Sequence, residues 1–185
     1  MGQIRIASLL VAVVLGLGAC GSSSPEGDGR SPDYGRALEG APAALAKLHG
    51  EGGGLLRGGR AAFERRVRSL KGHPVVVNKW ASWCGPCRTE LPYFQAQAAK
   101  RGKRVAFLGL NSNDGEDAAA EFQREFPVPY PSYVDPKLEI AKEIEAVQEF
   151  PATGFYNAKG SLVFTHRGVY ASEAELAADI RRYAR

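Results

Sequence analysis

Apolar positions along this chain fall into two periodicities, and they predict alternating strands and helices. Val75 to Trp80 is apolar on both faces for most of its length, the pattern of a central strand covered by helices on each side. Arg104 to Leu110 reads as a second buried strand. Ala61 to Leu70 places Phe63, Val67 and Leu70 at spacings of four and three, which predicts an amphipathic helix ended by Gly72. Thr89 to Lys100 carries Leu91, Phe94 and Ala98 on one helical face, and Pro92 inside it predicts a kink. Glu116 to Phe126 is a further helix with Phe122 and Phe126 facing in, and Leu138 to Val147 sets Leu138, Ile140, Ala141, Ile144 and Val147 in helical register. Tyr133-Val134 is too short to assign. Ala152 to Tyr156 and Leu162 to Arg167, joined through Asn157 to Gly160, read as an antiparallel hairpin. Ser172 N-caps a last helix, with Glu175 completing a capping box. The order βαβα followed by a hairpin and a helix predicts an α/β fold with a central mixed β-sheet and helices on both of its faces.

The pattern changes toward the N-terminus. Ala7 to Gly18 is apolar apart from Ser8, short for a bilayer span but right for the core of a signal peptide, and Arg5 precedes it. The run closes on Leu17-Gly18-Ala19-Cys20, which resembles the lipobox of bacterial lipoproteins; residues 1–20 then read as a lipoprotein signal peptide with its lipobox, and the resemblance implies that Cys20 is lipidated and becomes the new N-terminus. An ordinary signal peptide ending near a cysteine is the alternative. Residues 21–36 are Gly, Ser, Pro and charge with little that is apolar, so burial cannot offset the entropy of ordering them and they read as a flexible tether. Residues 37–60 show a weak helical pattern broken by Gly50 and Gly52-Gly53-Gly54, with Leu45, Leu48, Leu55 and Leu56 as apolar contacts, and are read as a pre-domain segment draped on the core. The domain itself is placed at 61–185.

Charge narrows the partners. The net charge of +4 comes from 24 basic and 20 acidic residues scattered along the chain, so nucleic-acid binding has little support and a solvated mixed surface is the simplest reading.

The candidate chemistry lies at Cys84-Gly85-Pro86-Cys87, between the first buried strand and the helix that follows. Residues three apart on a helix share a face, so the two sulfurs come within bridging reach. Cys84 falls near the helix N-terminus, where unpaired N–H groups and the helix dipole favour a thiolate, and in such motifs the thiol pKa falls to roughly 7 or below. Structural zinc needs four ligands, and only Cys20, His49, His73 and His166 remain, none at finger-like spacing. Haem attachment through C-x-x-C-H fails because Arg88 follows Cys87. A purely structural disulfide here would close a very small loop and restrain the unfolded chain little. A redox pair is the reading that remains strongest, with no metal and no cofactor implied.

Three blocks carry a family resemblance: Val75 to Cys87 (Val-Val-Val-Asn-Lys-Trp-Ala-Ser-Trp-Cys-Gly-Pro-Cys), Arg-Thr-Glu-Leu-Pro (Arg88 to Pro92), and Phe-Pro-Ala-Thr (Phe150 to Thr153) before a strand. From about Ala61 onward the chain resembles the thioredoxin superfamily, and within it the membrane-anchored, extracytoplasmic thiol-disulfide oxidoreductases similar to TlpA and ResA. The resemblance implies a thioredoxin-like fold, Cys84 as the exposed nucleophile, Cys87 as the resolving thiol and Pro151 as a cis-proline facing them. Trp83, Gly85, Pro86, Phe150 and Pro151 are the implied substrate contacts, and Trp80 is assigned to the core. Glu90 lies one turn beyond Cys87 and has two readings, a proton acceptor for one thiol or an acid that only complements the helix dipole. Asn78 stands where thioredoxin has a buried aspartate, so carboxylate assistance would fall to Glu90. Lys79 stands where the family usually has an aromatic residue, and a buried lysine needs a partner or a route to solvent.

The implied activity is disulfide exchange with exported proteins, with apocytochrome c among the substrates and cytochrome c maturation among the tasks. Gly85-Pro86 is the pair of reducing thioredoxins and leans toward a reductase, which would need a membrane electron donor similar to CcdA or DsbD. An oxidant of the same fold is the nearest alternative. A metal-delivery lipoprotein of the Sco type is a more distant one, because Sco proteins resemble C-x-x-x-C with a distant histidine. A thiol peroxidase lacks its cysteine within a proline- and threonine-bearing loop.

Overall fold

The central strand forms where the apolar run predicts it, and the rest of the sheet is arranged around it. The computed structural model describes Met1 and residues 31–185. The rest of the leader, Cys20 and the tether as far as residue 30 lie outside the described residues. Strands β1 (Leu55–Leu56), β2 (Val75–Trp80), β3 (Ala106–Ser112), β4 (Ser132–Asp135), β5 (Ala152–Tyr156) and β6 (Leu162–Arg167) make one mixed sheet in the order β1-β4-β3-β2-β5-β6. β2 pairs in parallel with β3, Val75 opposite Ala106, and antiparallel with β5, Val75 opposite Tyr156. The helices are α1 (Tyr34–Leu38), α2 (Ala43–His49), α3 (Gly59–Ser69), α4 (Gly85–Arg101), α5 (Glu116–Glu125) and α6 (Glu173–Tyr183). Among the described residues no helix is long and apolar enough to cross a membrane.

Alternation along β2 divides the core into two layers. Val76 and Trp80 join Phe94, Phe122, Leu176 and Ile180 from α4, α5 and α6. Val75 and Val77 join Leu45, Leu48, Phe63 and Val67 from α2 and α3 on the opposite face. The sheet is thus covered on both faces. One close approach fixes a glycine: a Cβ on Gly109 in β3 would come within 1.9 Å of the Ser132 hydroxyl, which here accepts from the Trp80 indole at 3.1 Å.

Three expectations need correcting. Ordered structure reaches into the tether, because the Asp33 carboxylate caps α1 by accepting from the Arg36 N–H at 3.2 Å. The segment 37–60 does more than drape on the core through Leu45 and Leu48, which are fully buried and contribute roughly 2 kcal/mol each: it supplies a strand of the sheet, β1 pairing in parallel with β4. Leu138 to Val147 is not a helix. Leu138 and Glu145 have φ of 60° and 53°, outside the helical region, and only a 3-10 turn forms between them at Ala141–Ile144. The Asp135 carboxylate starts that turn by accepting from the Ile140 and Ala141 N–H groups at 3.0 and 2.9 Å. The apolar spacing still did its work, since Ile140, Ala141 and Ile144 are fully buried. Pro92 does not interrupt α4, and Ser172 caps α6 by accepting from the Glu175 N–H at 3.3 Å.

Candidate active site

The strand-to-helix junction presents the two cysteines. β2 ends at Trp80, and the loop Ala81 to Trp83 is pinned by Asp114, whose carboxylate accepts from the Ser82 N–H and from the Ser82 hydroxyl, both at 2.6 Å. Asn111 donates to the same carboxylate at 2.8 Å. Pro86 occupies the first turn of α4, where a missing N–H costs nothing and a fixed φ suits the helix. Cys84 is the N-cap, its sulfur accepting from the Cys87 N–H at 3.2 Å. The two residues form a disulfide with their Cα atoms 5.3 Å apart. A sulfur held at a helix N-terminus by a backbone donor is placed to be stabilised as a thiolate when the bond opens.

Cys84 is not exposed in this oxidised form. Only 3% of it is accessible, against 2% of Cys87, because both sulfurs pack into the apolar layer with Leu91 and Phe94. What faces solvent is the surround: Gly85 and Pro86 are exposed, and Trp83 is 57% accessible. The Trp83 indole N–H donates to the Asn113 carbonyl at 2.9 Å, and its ring meets that of Phe150 at 4.8 Å. Phe150 precedes Pro151 through a cis peptide bond, and Pro151 itself is buried. Trp80 is core, stacked on Phe122 at 4.9 Å. Clefts of about 410 and 430 Å³ open elsewhere, around Arg57 and Lys137 and around Tyr34 and His49, and neither contains a cysteine.

Glu90 is fully buried on α4, past its first turn. One carboxylate oxygen accepts from the Asn78 side-chain amide at 3.0 Å, and the other accepts from the Tyr170 N–H at 3.0 Å. Burial pushes its pKa up to about 7, against the opposing pull of the Tyr170 and Asn78 hydrogen bonds. An acid that merely complemented the helix dipole would sit in the first turn, and α4 has none there.

Some contributors carry no sequence signal. Asp114 acts on Ser82 across 32 residues, and Tyr170 reaches Glu90 through its backbone across 80. Lys79 is fully buried on the face of β2 opposite Asn78, and its partners are main-chain carbonyls. Cys20 lies outside the described residues.

With this geometry the chain finds relatives. The model of the AhpC/TSA family matches residues 60–169, more than half of the chain. Sporulation thiol-disulfide oxidoreductase A of Bacillus subtilis is 30% identical over 107 residues, which cover 56% of this chain and 64% of that protein. Thiol:disulfide interchange protein DsbE of Pseudomonas fluorescens biotype C is 35% identical over 106 residues, 54% of each chain. The solved structure of a secreted Mycobacterium tuberculosis disulfide oxidoreductase, homologous to E. coli DsbE, is similar at a TM-score of 0.55 and 26% identity, covering 62% of this chain and 84% of that one. The chain therefore spans between about half and two-thirds of the length of these two curated relatives.

Proposed function

The chain belongs to the AhpC/TSA family and, within the thioredoxin superfamily, to its ResA/DsbE-like thiol-disulfide oxidoreductases, and on that premise we propose that it exchanges disulfides with exported proteins through Cys84 and Cys87. The observation that carries this reading is the Cys84–Cys87 disulfide at the N-terminus of α4, with the Cys84 sulfur already accepting a backbone N–H.

In the reducing direction the Cys84 thiolate attacks one sulfur of a substrate disulfide. A mixed disulfide forms and one substrate thiol leaves. The Cys87 thiolate then attacks the Cys84 sulfur, restoring the Cys84–Cys87 bond and releasing the second substrate thiol. Two electrons and two protons pass to the substrate. Glu90, one turn from Cys87 and with a pKa near neutrality, takes the Cys87 proton before the second attack. The exposed Trp83 and the adjoining Phe150 receive the substrate chain beside the cis-proline, where an extended peptide can pair with free backbone. Gly85-Pro86 favours the reductase direction, with apocytochrome c as one substrate and a membrane electron donor similar to CcdA or DsbD returning the electrons. A lipid on Cys20 holds the domain at the extracytoplasmic face of the bacterial cell membrane.

Cysteine variants of the full chain test the reaction. Cys84→Ser should abolish turnover, whereas Cys87→Ser should accumulate covalent partners on non-reducing gels, because attack proceeds and resolution does not. Partners trapped by Cys84→Ser and absent from Cys87→Ser would reverse the assignment. Cys20→Ala should release the exported protein from the membrane fraction and lose incorporation of a fatty-acid analogue; unchanged retention overturns the anchor.

A further inference from the structure

Lys79 lies in the centre of the sheet, paired with Leu110 of β3 on one side and Ala152 of β5 on the other, and no part of it is accessible. An ammonium removed from water needs an acceptor for each of its three N–H groups. It has them: Nζ donates to the carbonyls of Ala146, Val147 and Glu149 at 2.8, 2.9 and 2.9 Å. All three belong to the irregular stretch between the 3-10 turn and β5, which leads into the cis-proline. The next residue, Phe150, lays its ring 3.6 Å from the same Nζ, a cation–π contact in a desolvated setting. The Phe150 ring in turn meets the exposed indole of Trp83, next to Cys84. A continuous series of contacts therefore runs from the rigid centre of β2, through one ammonium, to the aromatic surface beside the disulfide. Burial lowers the Lys79 pKa to about 8, with Glu149 and Asp135 opposing the shift, so the cation is present at neutral pH.

We infer that Lys79 is a positioning residue: it fixes the Glu149–Phe150–Pro151 segment against Trp83 and so sets the surface on which a polypeptide disulfide docks. The inference rests on the exchange activity proposed above. Its physical content is that a tripod of hydrogen bonds to backbone restrains a segment with no regular structure of its own, and a restrained segment offers its pairing groups without further ordering. A polypeptide that lies along Phe150 and Pro151 depends on that restraint. A small dithiol that reaches only the sulfurs does not.

The test compares the full wild-type chain with Lys79→Met, which keeps an unbranched stem and removes the ammonium, and with Phe150→Leu, which keeps the lysine and removes the ring. Each is assayed with a synthetic cysteine peptide joined through a disulfide to glutathione, and with dithiothreitol. Lys79→Met should raise KM for the peptide about tenfold with kcat within twofold, so that the ratio of peptide to dithiothreitol exchange falls by a similar factor; Phe150→Leu should move the ratio the same way. A ratio unchanged within twofold in Lys79→Met overturns the inference, whatever Phe150→Leu does and whether or not overall rates drop. Should Lys79→Met fail to fold, Lys79→Gln, which removes the charge and keeps a side-chain donor, carries the comparison under the same criterion. Should the wild type turn over neither substrate, the exchange reading itself falls, and the indole N–H resonances of 15N-labelled protein decide the role of Lys79. A displaced Trp83 resonance with Trp80 unmoved supports it, and an unmoved Trp83 overturns it.

Discussion

Asn78 and Lys79 are neighbours in β2 whose side chains leave the sheet on opposite faces, and each face buries one ionisable group. On the Asn78 side Glu90 is met by two donors, an amide side chain and the Tyr170 N–H. On the Lys79 side the ammonium is met by three backbone carbonyls and an aromatic ring. Loss of water acts on both, raising the carboxyl to about 7 and lowering the ammonium to about 8. The consequences differ. The carboxyl is left near the pH at which a proton can be taken and returned, whereas the ammonium remains a cation whose donors are all engaged. On the roles proposed above, one face moves a proton and the other holds a chain segment still.

The contrast is broken most forcefully on the lysine side. Lys79→Ala removes the donor from three main-chain carbonyls and leaves the space of three methylenes and the ammonium, so the variant should lose about 4 kcal/mol of stability at pH 7. Urea denaturation measures it. A loss below about 1 kcal/mol would mean that water or neighbouring N–H groups take over the carbonyls and that the tripod holds little.

What was legible beforehand follows the same division. The central strand, the helix after the cysteines, the hairpin and the α6 cap were readable because each is written in side chains of its own segment: among them the apolar run Val75 to Trp80, Leu91, Phe94 and Ala98 on one helical face, and Ser172 with Glu175. β1 was not readable, since two leucines become a strand only by pairing with Ser132 and Tyr133. The false helix at 138–147 had genuine helical spacing, but the Asp135 carboxylate takes the Ile140 and Ala141 N–H groups and the positive φ of Leu138 and Glu145 limits the turn. At the site, the cysteines, Glu90 and Pro151 were named from local motifs, while the purpose of Lys79 was opaque. Its partners are carbonyls from residues 67 to 70 positions away, and a carbonyl leaves no mark on a sequence.

On the carboxyl side the expected change has the opposite sign. Between pH 4.5, the unfolded value, and about 7, the folded chain holds the Glu90 proton that the unfolded chain has released. Stability therefore falls as pH rises through that window, by about 3 kcal/mol, and stays lower above it. Glu90→Gln cannot ionise, and its amide can still meet both partners if the Asn78 amide turns over. The variant should match wild type near pH 4.5 and exceed it by up to about 3 kcal/mol at pH 8. Denaturation midpoints at pH 4.5, 6 and 8 check this, and parallel pH dependences for the two proteins would show that Glu90 titrates as it does in the unfolded chain.

The same substitution has a smaller effect on rate, and that effect separates proton transfer from packing. If Glu90 accepts the Cys87 proton, only its ionised form contributes, and the ratio of wild-type to Glu90→Gln exchange rates follows that ionisation. It should be near one at pH 5, where both side chains are neutral, and climb to about tenfold by pH 9, with its midpoint near 7. Taking the ratio removes the titration of the thiols themselves, which is common to both proteins to the extent that Glu90 does not alter it. Stopped-flow measurements from pH 5 to 9 supply the profile. A purely structural Glu90 would leave the ratio flat, however large the difference in stability, because the folded fraction of both proteins is close to one throughout that range. A rising ratio beside a more stable variant would show that the buried carboxyl lowers stability at neutral pH while speeding the transfer of a proton.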